Sequence, residues 1–132
     1  MKLIIALVFG LSSIALASEK AYDLKIELTM NGQKVSSPRL IVKSGETGSV
    51  TQEQGADKIF MDVVAIPSAP VEGKPVVQMN FVVGKINADG SKTVLSTPKL
   101  LTHENSPAHI FQKDQSGKDL LSLSVVPTSV SL

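Results

Sequence analysis

The stretch YDLKIELTMNG, residues 22–32, alternates apolar and polar side chains from Tyr22 to Met30 and then ends in Asn31-Gly32. Strict alternation is typical of an antiparallel strand with one buried face and one face in water. Asn-Gly tolerates the positive φ angles of a tight hairpin turn. The stretch therefore predicts a β-hairpin whose second strand runs from Lys34 to Lys43.

The same pattern returns in the second half of the chain. Residues 77–83 alternate again, and Asp89-Gly90 then turns the chain into an expected strand over 92–102. A shift of sixty residues aligns the halves without gaps, which indicates an internal duplication with repeats over about 22–67 and 76–127. The identical positions are Ser36, Pro38, Leu40, Gln52, Lys58 and Pro67, aligned with Ser96, Pro98, Leu100, Gln112, Lys118 and Pro127.

Eight short strands with Gly, Pro, Asn and Asp at their joints predict an all-β fold, either an antiparallel β-sandwich or a partly open barrel. Three prolines mark the segment 67–75 as the joint between the halves. This joint is too short for a free linker, so we expect one domain over 18–132. The expected strands cover about residues 22–30, 34–43, 47–53, 58–66, 76–86, 92–102, 107–112 and 118–126.

The last strand of each half contains three apolar residues of one parity, so their side chains share one face. We expect that face to form the core. Its residues are Met61, Val63 and Ala65 in the first half and Leu121, Leu123 and Val125 in the second.

Residues 1–17 have the three parts of a secretory signal peptide. Lys2 supplies the positive charge, residues 3–11 are apolar, and Ala15-Leu16-Ala17 places cleavage before Ser18. The alternative is an uncleaved anchor, but the apolar stretch is shorter than the ~20 residues that a membrane-spanning helix needs. We therefore expect a periplasmic or secreted protein with no stable membrane insertion after cleavage.

The composition argues against disulfides, a lipid anchor on Cys and a nucleic-acid partner. The chain contains no Cys, so neither disulfides nor a lipid on a Cys can stabilise or anchor it. Loss of Lys2 with the leader leaves 12 basic against 12 acidic residues. We expect no nucleic-acid partner, because binding phosphates requires clustered Lys and Arg. Arg39 is the single arginine, and Trp is absent.

The titratable residues form no recognisable site. His103 and His109 are the only histidines, and Glu104, next to His103, would point to the opposite side of an extended segment. We favour two histidines in contact with water. Four acidic residues do not fall into a calcium-binding D-x-D-x-D-G loop, and solvated turns and strand faces explain them. They are Asp57, Asp62, Asp114 and Asp119.

Nucleophilic and phosphate-binding motifs are also missing from the sequence. No G-x-S-x-G elbow is present, and the single glycines form no phosphate loop. Ser44-Gly45-Glu46 and Gln115-Ser116-Gly117 are predicted as turns. We expect no enzyme, and therefore assign no catalytic, cofactor-binding or metal-binding residues and no cofactor.

The segment VLSTPKLLTHENSPAHI, residues 94–110, resembles a stretch of the C-terminal secretin domain of bacterial outer-membrane secretion channels. In that family a V-L-S-T-P-[RK]-[IL]-[LM]-T strand leads through an acidic or Asn-containing turn to a second strand. Residues 35–42, followed by Gly45-Glu46 and Val50, resemble the same stretch more faintly. The chain departs from the family in the long transmembrane hairpins, the gate and the N-terminal ring-forming domains, so the resemblance implies no channel activity.

These observations lead to one expectation and two alternatives. We expect a non-enzymatic envelope protein of a Gram-negative bacterium, an accessory or binding module that contacts another envelope protein through an exposed strand edge or one sheet face. The first alternative is a structural component that associates with itself into a ring or fibre. The second is a small hydrolase or metal protein that uses His103 or His109.

Overall fold

The computed structural model describes residues 20–54 and 56–131, and the predicted signal peptide, residues 1–17, lies outside them. The described residues form ten antiparallel strands and no helix, which confirms the all-β class. The strands are β1 (Lys20–Met30), β2 (Gln33–Ser36), β3 (Arg39–Lys43), β4 (Thr47–Gln54), β5 (Asp57–Val71), β6 (Lys74–Ile86), β7 (Lys92–Ser96), β8 (Lys99–His103), β9 (Ala108–Lys113) and β10 (Asp119–Ser131).

The strands make two five-stranded sheets. The first sheet has the order β2-β1-β10-β9, and β3 also pairs with β1. The second has the order β4-β5-β6-β7, and β8 also pairs with β6. The sheets pack face to face without closing into a barrel, so of the two predicted architectures the structure is the sandwich.

Two predicted strands, 34–43 and 92–102, are each broken into two, so the eight expected strands appear as ten. The breaks fall at Pro38 and Pro98, which have no N–H to donate to the neighbouring strand. Their carbonyls remain in the ladders and accept from Ile26 at 3.0 Å and from Phe81 at 2.8 Å. The register also shifts after Leu28 in β1 and after Val83 in β6, so each broken strand contains a bulge.

The segment 67–75, predicted as the joint between the halves, is part of a long hairpin. β5 continues to Val71, β6 begins at Lys74, and the turn residues Glu72 and Gly73 have φ angles of 53° and 74°. Pro67 is tolerated because it lies beyond the part of β5 that pairs with β4. The predicted joint is thus the central hairpin of the second sheet.

The two halves of the chain have the same order of strands but exchange their hairpins. The first sheet combines the opening hairpin of the first half with the closing hairpin of the second, and the second sheet combines the other two. A pseudo-two-fold relation therefore maps each sheet onto the other. Neither half contains a complete sheet.

Strands that occupy equivalent positions in the two halves are not all sixty residues apart in the sequence. The first and the last strand of each half depart from that shift. Leu24 pairs with Leu40, and Met79 pairs with Leu100, so β1 corresponds to β6 at an offset of 55. Leu24 also faces Pro127 across the sheet, as Met79 faces Ala65, so β5 corresponds to β10 at an offset of 62.

The offsets differ because equivalent turns have different lengths. Asn31-Gly32 connects β1 to β2, whereas residues 87–91 connect β6 to β7. β5 begins at Asp57, three residues after the end of β4, whereas β10 begins at Asp119, six residues after the end of β9. As a consequence, the aligned pairs Lys58 with Lys118 and Pro67 with Pro127 are not structurally equivalent. The shift between alignment and structure is two residues here, which leaves the inward parity of β5 and β10 unchanged.

The core lies between the sheets and draws on both halves of the chain. The six residues predicted to face it are all buried, with at most 2% of their surface exposed, so that prediction is confirmed. The largest fully buried side chains are Tyr22, Phe81, Leu24, Ile26, Leu28, Met61, Met79, Leu121 and Leu123.

The core assignment is testable by comparing two leucine-to-alanine variants, one in the core and one on the surface. Leu123→Ala removes a fully buried side chain and leaves a cavity, so we expect the free energy of unfolding to fall by about 2–5 kcal/mol. The control is Leu101→Ala, where the leucine is 56% exposed and a change within about 0.5 kcal/mol is expected. Urea denaturation followed by far-UV circular dichroism measures both, and equal losses would contradict the assignment.

The pseudo-symmetry predicts that the chain can be circularly permuted. Lys20 lies opposite Ser131 in the first sheet, as Lys74 lies opposite Val71 in the second. Joining Ser131 to Lys20 by Asn-Gly and opening the chain between Glu72 and Gly73 should therefore preserve the circular dichroism spectrum and cooperative unfolding.

The control permutant opens the chain between Val63 and Val64, in the middle of β5, and we expect it not to fold. Equal behaviour of the two permutants would show that the stated strand pairing is wrong.

Candidate interaction edges

The structure separates the two histidines and gives each a different partner. His103 ends β8 in the second sheet, and its Nδ1 lies 3.4 Å from the carbonyl oxygen of Pro75. His109 lies in β9 of the first sheet, and its Nδ1 is 2.6 Å from Ser124 Oγ. No acidic side chain contacts the His109 ring among residues 20–54 and 56–131, so the pair has no third member to orient the imidazole.

Glu104 is engaged in an ion pair with the first strand of the first sheet. Its carboxylate lies 2.8 Å from Lys20 Nζ and is 12% exposed. Hydrogen bonding to Lys20 lowers the pKa of Glu104 and raises the pKa of Lys20. Burial raises the pKa of the neighbouring Tyr22. The pair ties the turn between β8 and β9 to the start of β1.

We predict a pH dependence from this ion pair. The pKa of Glu104 lies below its ordinary 4.5, so the stabilisation is complete above pH 4.5 and is lost as pH falls through the lowered pKa. The pKa of Lys20 lies above its ordinary 10.5, so the same stabilisation is complete below pH 10.5 and is lost as pH rises through the raised pKa.

Glu104→Gln should therefore lower the free energy of unfolding between pH 4.5 and 10.5 and have little effect in stronger acid. Denaturant titrations at a series of pH values check this, with Glu72→Gln in an exposed turn as the control. A constant deficit of Glu104→Gln across the acid range would contradict it.

The predicted acidic and turn residues have structural contacts. Asp114 accepts from the N–H groups of Ser116 at 2.9 Å and Lys118 at 3.0 Å, which caps the turn before β10. Asp62 accepts from Ser49 Oγ at 2.7 Å, and Asp57 lies 3.8 Å from Lys85. In the part of the chain that the structure describes, no group of three or more His, Asp or Glu side chains is close enough to hold a metal ion.

Arg39 forms a bidentate ion pair with Asp23. Its Nε donates to both oxygens of Asp23, at 2.9 Å and 3.0 Å, and its Nη2 donates to Oδ2. Hydrogen bonding to Arg39 holds the pKa of Asp23 below its ordinary value. The ion pair of Arg39 therefore links β3 to β1 through side chains as well as through the backbone.

Four strand edges border the two sheets, and two of them are interrupted. The edge formed by β2 and β3 is broken at Pro38 and bulged, and the edge formed by β7 and β8 is broken at Pro98 and bulged. Bulges and breaks of this kind twist an edge away from regular pairing. Of the other two edges, β4 contains neither feature in its described residues. β9 contains no proline, and its register with β10 is regular from Ala108 to Gln112 and shifts once, between Asp119 and Leu121 of β10.

The backbone at the β9 edge points hydrogen-bonding groups into solvent. Ile26 N–H donates to Pro38, so even-numbered residues of β1 bond toward β3 and odd-numbered ones toward β10. Leu28 of β1 lies opposite Leu123 of β10 and bonds away from it, so Leu123 bonds toward β9. Leu123 lies opposite Ile110, and the peptide groups of Ile110 therefore bond toward β10. The peptide groups of His109 and Phe111 therefore point away from the sheet.

The β4 edge has the same geometry through the pseudo-two-fold relation. Phe81 N–H donates to Pro98, and the registers from β6 through β5 to β4 direct the peptide groups of Val50 toward β5. The peptide groups of Ser49 and Thr51 therefore point away from the sheet. Among the described strands, β4 pairs only with β5 and β9 only with β10.

The side chains of the β9 edge combine an exposed ring with positive charge. Ala108 and Ile110 pack inward against the core, whereas Phe111 faces solvent and is 51% exposed. Lys113 Nζ lies 5.7 Å from the centroid of the Phe111 ring. Sequence analysis missed Phe111, although an aromatic residue on the polar parity of 108–113 is the signal that could have identified it.

A second exposed apolar surface lies at one end of the second sheet. Leu101 and Val71 are 56% and 51% exposed, and with Val76 they line a groove of about 350 Å³. This groove lies on a face of the second sheet, beside the interrupted β8 edge.

The chain matches no protein-family model, no curated protein and no solved structure. Within residues 20–54 and 56–131, no helix is long and apolar enough to cross a membrane.

Proposed function

We propose that this protein is an exported, non-enzymatic envelope protein, an accessory or binding module that receives an extended segment of another envelope protein at the β9 edge. The partner segment adds a strand to the first sheet, next to β9. The observation that carries the proposal is the row of outward-pointing peptide groups at His109 and Phe111, on an edge strand without proline whose register with β10 is regular from Ala108 to Gln112.

The side chains of the β9 edge support strand addition. Main-chain hydrogen bonds supply affinity, and alternate side chains supply specificity. On this edge the alternate side chains are His109, Phe111 and Lys113, all exposed. A partner segment with β-branched or aromatic residues opposite Phe111 and an acidic residue nearby would be complementary.

The sequence supports the cellular setting of the proposal. The predicted signal peptide over 1–17 favours a periplasmic or secreted location. The resemblance of residues 94–110 to the secretin domain favours the envelope of a Gram-negative bacterium and covers the start of β9. Since outer-membrane secretion channels are built from strands, a strand-binding accessory protein is compatible with such a setting.

The proposal predicts that one backbone substitution removes binding. Phe111→Pro deletes an N–H that points into solvent, so the fold should persist while capture of the partner is lost. The mature chain, tagged at its C-terminus, is expressed in its own host, crosslinked gently and recovered from the envelope fraction. Mass spectrometry then quantifies the envelope proteins recovered with it.

Two further variants separate backbone from side-chain effects. Ile41→Pro deletes the corresponding outward N–H on the interrupted β3 edge and should leave capture unchanged. Phe111→Thr keeps the N–H and removes only the ring, so it should reduce capture without abolishing it. Capture of the same protein at the unmodified level by Phe111→Pro would overturn strand addition at β9.

A further inference from the structure

We propose that the β9 edge also receives the β4 edge of a second copy of this chain, so that copies associate head to tail. The inference rests on the proposed function, because it names a strand that the β9 edge accepts. The paired residues are those of β4 over 47–53 and of β9 over 108–113.

The hydrogen-bonding groups of the two edges match in an antiparallel arrangement. Directly opposed residues in such a ladder exchange both hydrogen bonds when the peptide groups of both point toward the partner strand. Odd-numbered residues have this orientation in both edges, as shown above for Thr51 and Phe111. Pairing odd with odd residues therefore satisfies both strands, and it also places their outward side chains on the same side of the joined sheet.

One register gives a favourable side-chain pair at its centre. Placing Phe111 opposite Thr51 pairs an aromatic with a β-branched residue, a combination that stabilises antiparallel strands. The same register places His109 opposite Glu53 and Lys113 opposite Ser49. All six of these side chains are exposed in the single chain.

The charges of the edges favour pairing of unlike edges over pairing of like edges. Residues 47–53 contain Glu53 and no basic residue, whereas residues 108–113 contain His109 and Lys113 and no acidic residue. Pairing β9 with itself around Phe111 would bring together two strands that each contain a lysine and no acidic residue. Pairing β9 with β4 instead places the basic strand beside the strand that contains Glu53, and opposite charges across a ladder are the favourable arrangement.

The pairing has a defined consequence for assembly. The second sheet of one copy continues into the first sheet of the next, and each copy keeps one unpaired β4 or β9 edge for a further copy. A contact between two different surfaces of identical chains generates a ring if the rotation closes and an open filament if it does not.

The experiment uses two variants that each block one edge. Thr51→Pro removes an outward N–H from β4, and Phe111→Pro removes one from β9. We expect the mature chain to form species larger than a monomer as its concentration rises, and each variant alone to remain a monomer. An equimolar mixture of the two should form a dimer and nothing larger. The free β9 edge of Thr51→Pro pairs with the free β4 edge of Phe111→Pro, and the other edge of each variant is blocked. Light scattering coupled to size-exclusion chromatography measures the masses.

A second pair, Ser49→Pro and His109→Pro, repeats the test if either first variant fails to fold by circular dichroism. The inference is overturned if the unmodified mature chain stays monomeric up to about 1 mM, where even a weak contact with millimolar Kd would be substantially occupied. It is also overturned if one blocked variant alone forms dimers, or if the mixture stays monomeric. Capture of a different envelope protein that depends on Phe111 would in those cases leave the proposed function standing.

Discussion

The pairing of the first strand with the last is the constraint on which the rest of this structure depends. β1 and β10 pair over eleven residues, from Lys20 with Ser131 to Met30 with Leu121, and they form the centre of the first sheet. Because each half contributes one hairpin to each sheet, no sheet can be completed from one half alone. The core residues of β1 and β10 therefore become buried only when both ends of the chain have met. Contacts of such high sequence separation favour slow folding.

The same exchange of hairpins decides where the edges lie. Each broken strand occupies one outer position of a sheet, and each short closing strand, β4 or β9, occupies the other. The broken strands carry the devices that protect an edge, a proline and a bulge, in both repeats. β4 is regular throughout, and β9 is an unbroken strand without proline whose register with β10 shifts only beyond Gln112, so the fold leaves one continuous edge on each sheet. Such edges are suited to contacts made by backbone groups.

Electrostatic contacts fasten strands that the core holds less firmly. The ion pair of Arg39 with Asp23 connects β3 to β1, and that of Lys20 with Glu104 connects the start of β1 to the turn before β9. Both ion pairs include one carboxylate that is largely shielded from water, which strengthens its interaction with the cation. Neither has a counterpart at the equivalent positions of the other repeat, where Gln78 and Lys99 replace Asp23 and Arg39. The two halves thus share the core pattern and differ in these outer contacts.

Local pattern alone determined the class of the fold, because alternation of period two can bury one face only in a strand. Tyr22 to Met30 and Met61, Val63 and Ala65 were placed correctly for this reason, as were the turns at Gly45 and Gly117. The extension of β5 through Pro67 could not be predicted, since proline is tolerated there only because β4 ends short of it. Phe111 and Thr51 likewise looked like ordinary strand residues until the sheet order showed that nothing pairs with their outward peptide groups among the described strands. Which strands become edges depends on contacts between residues far apart in the chain, and only the tertiary structure decides them.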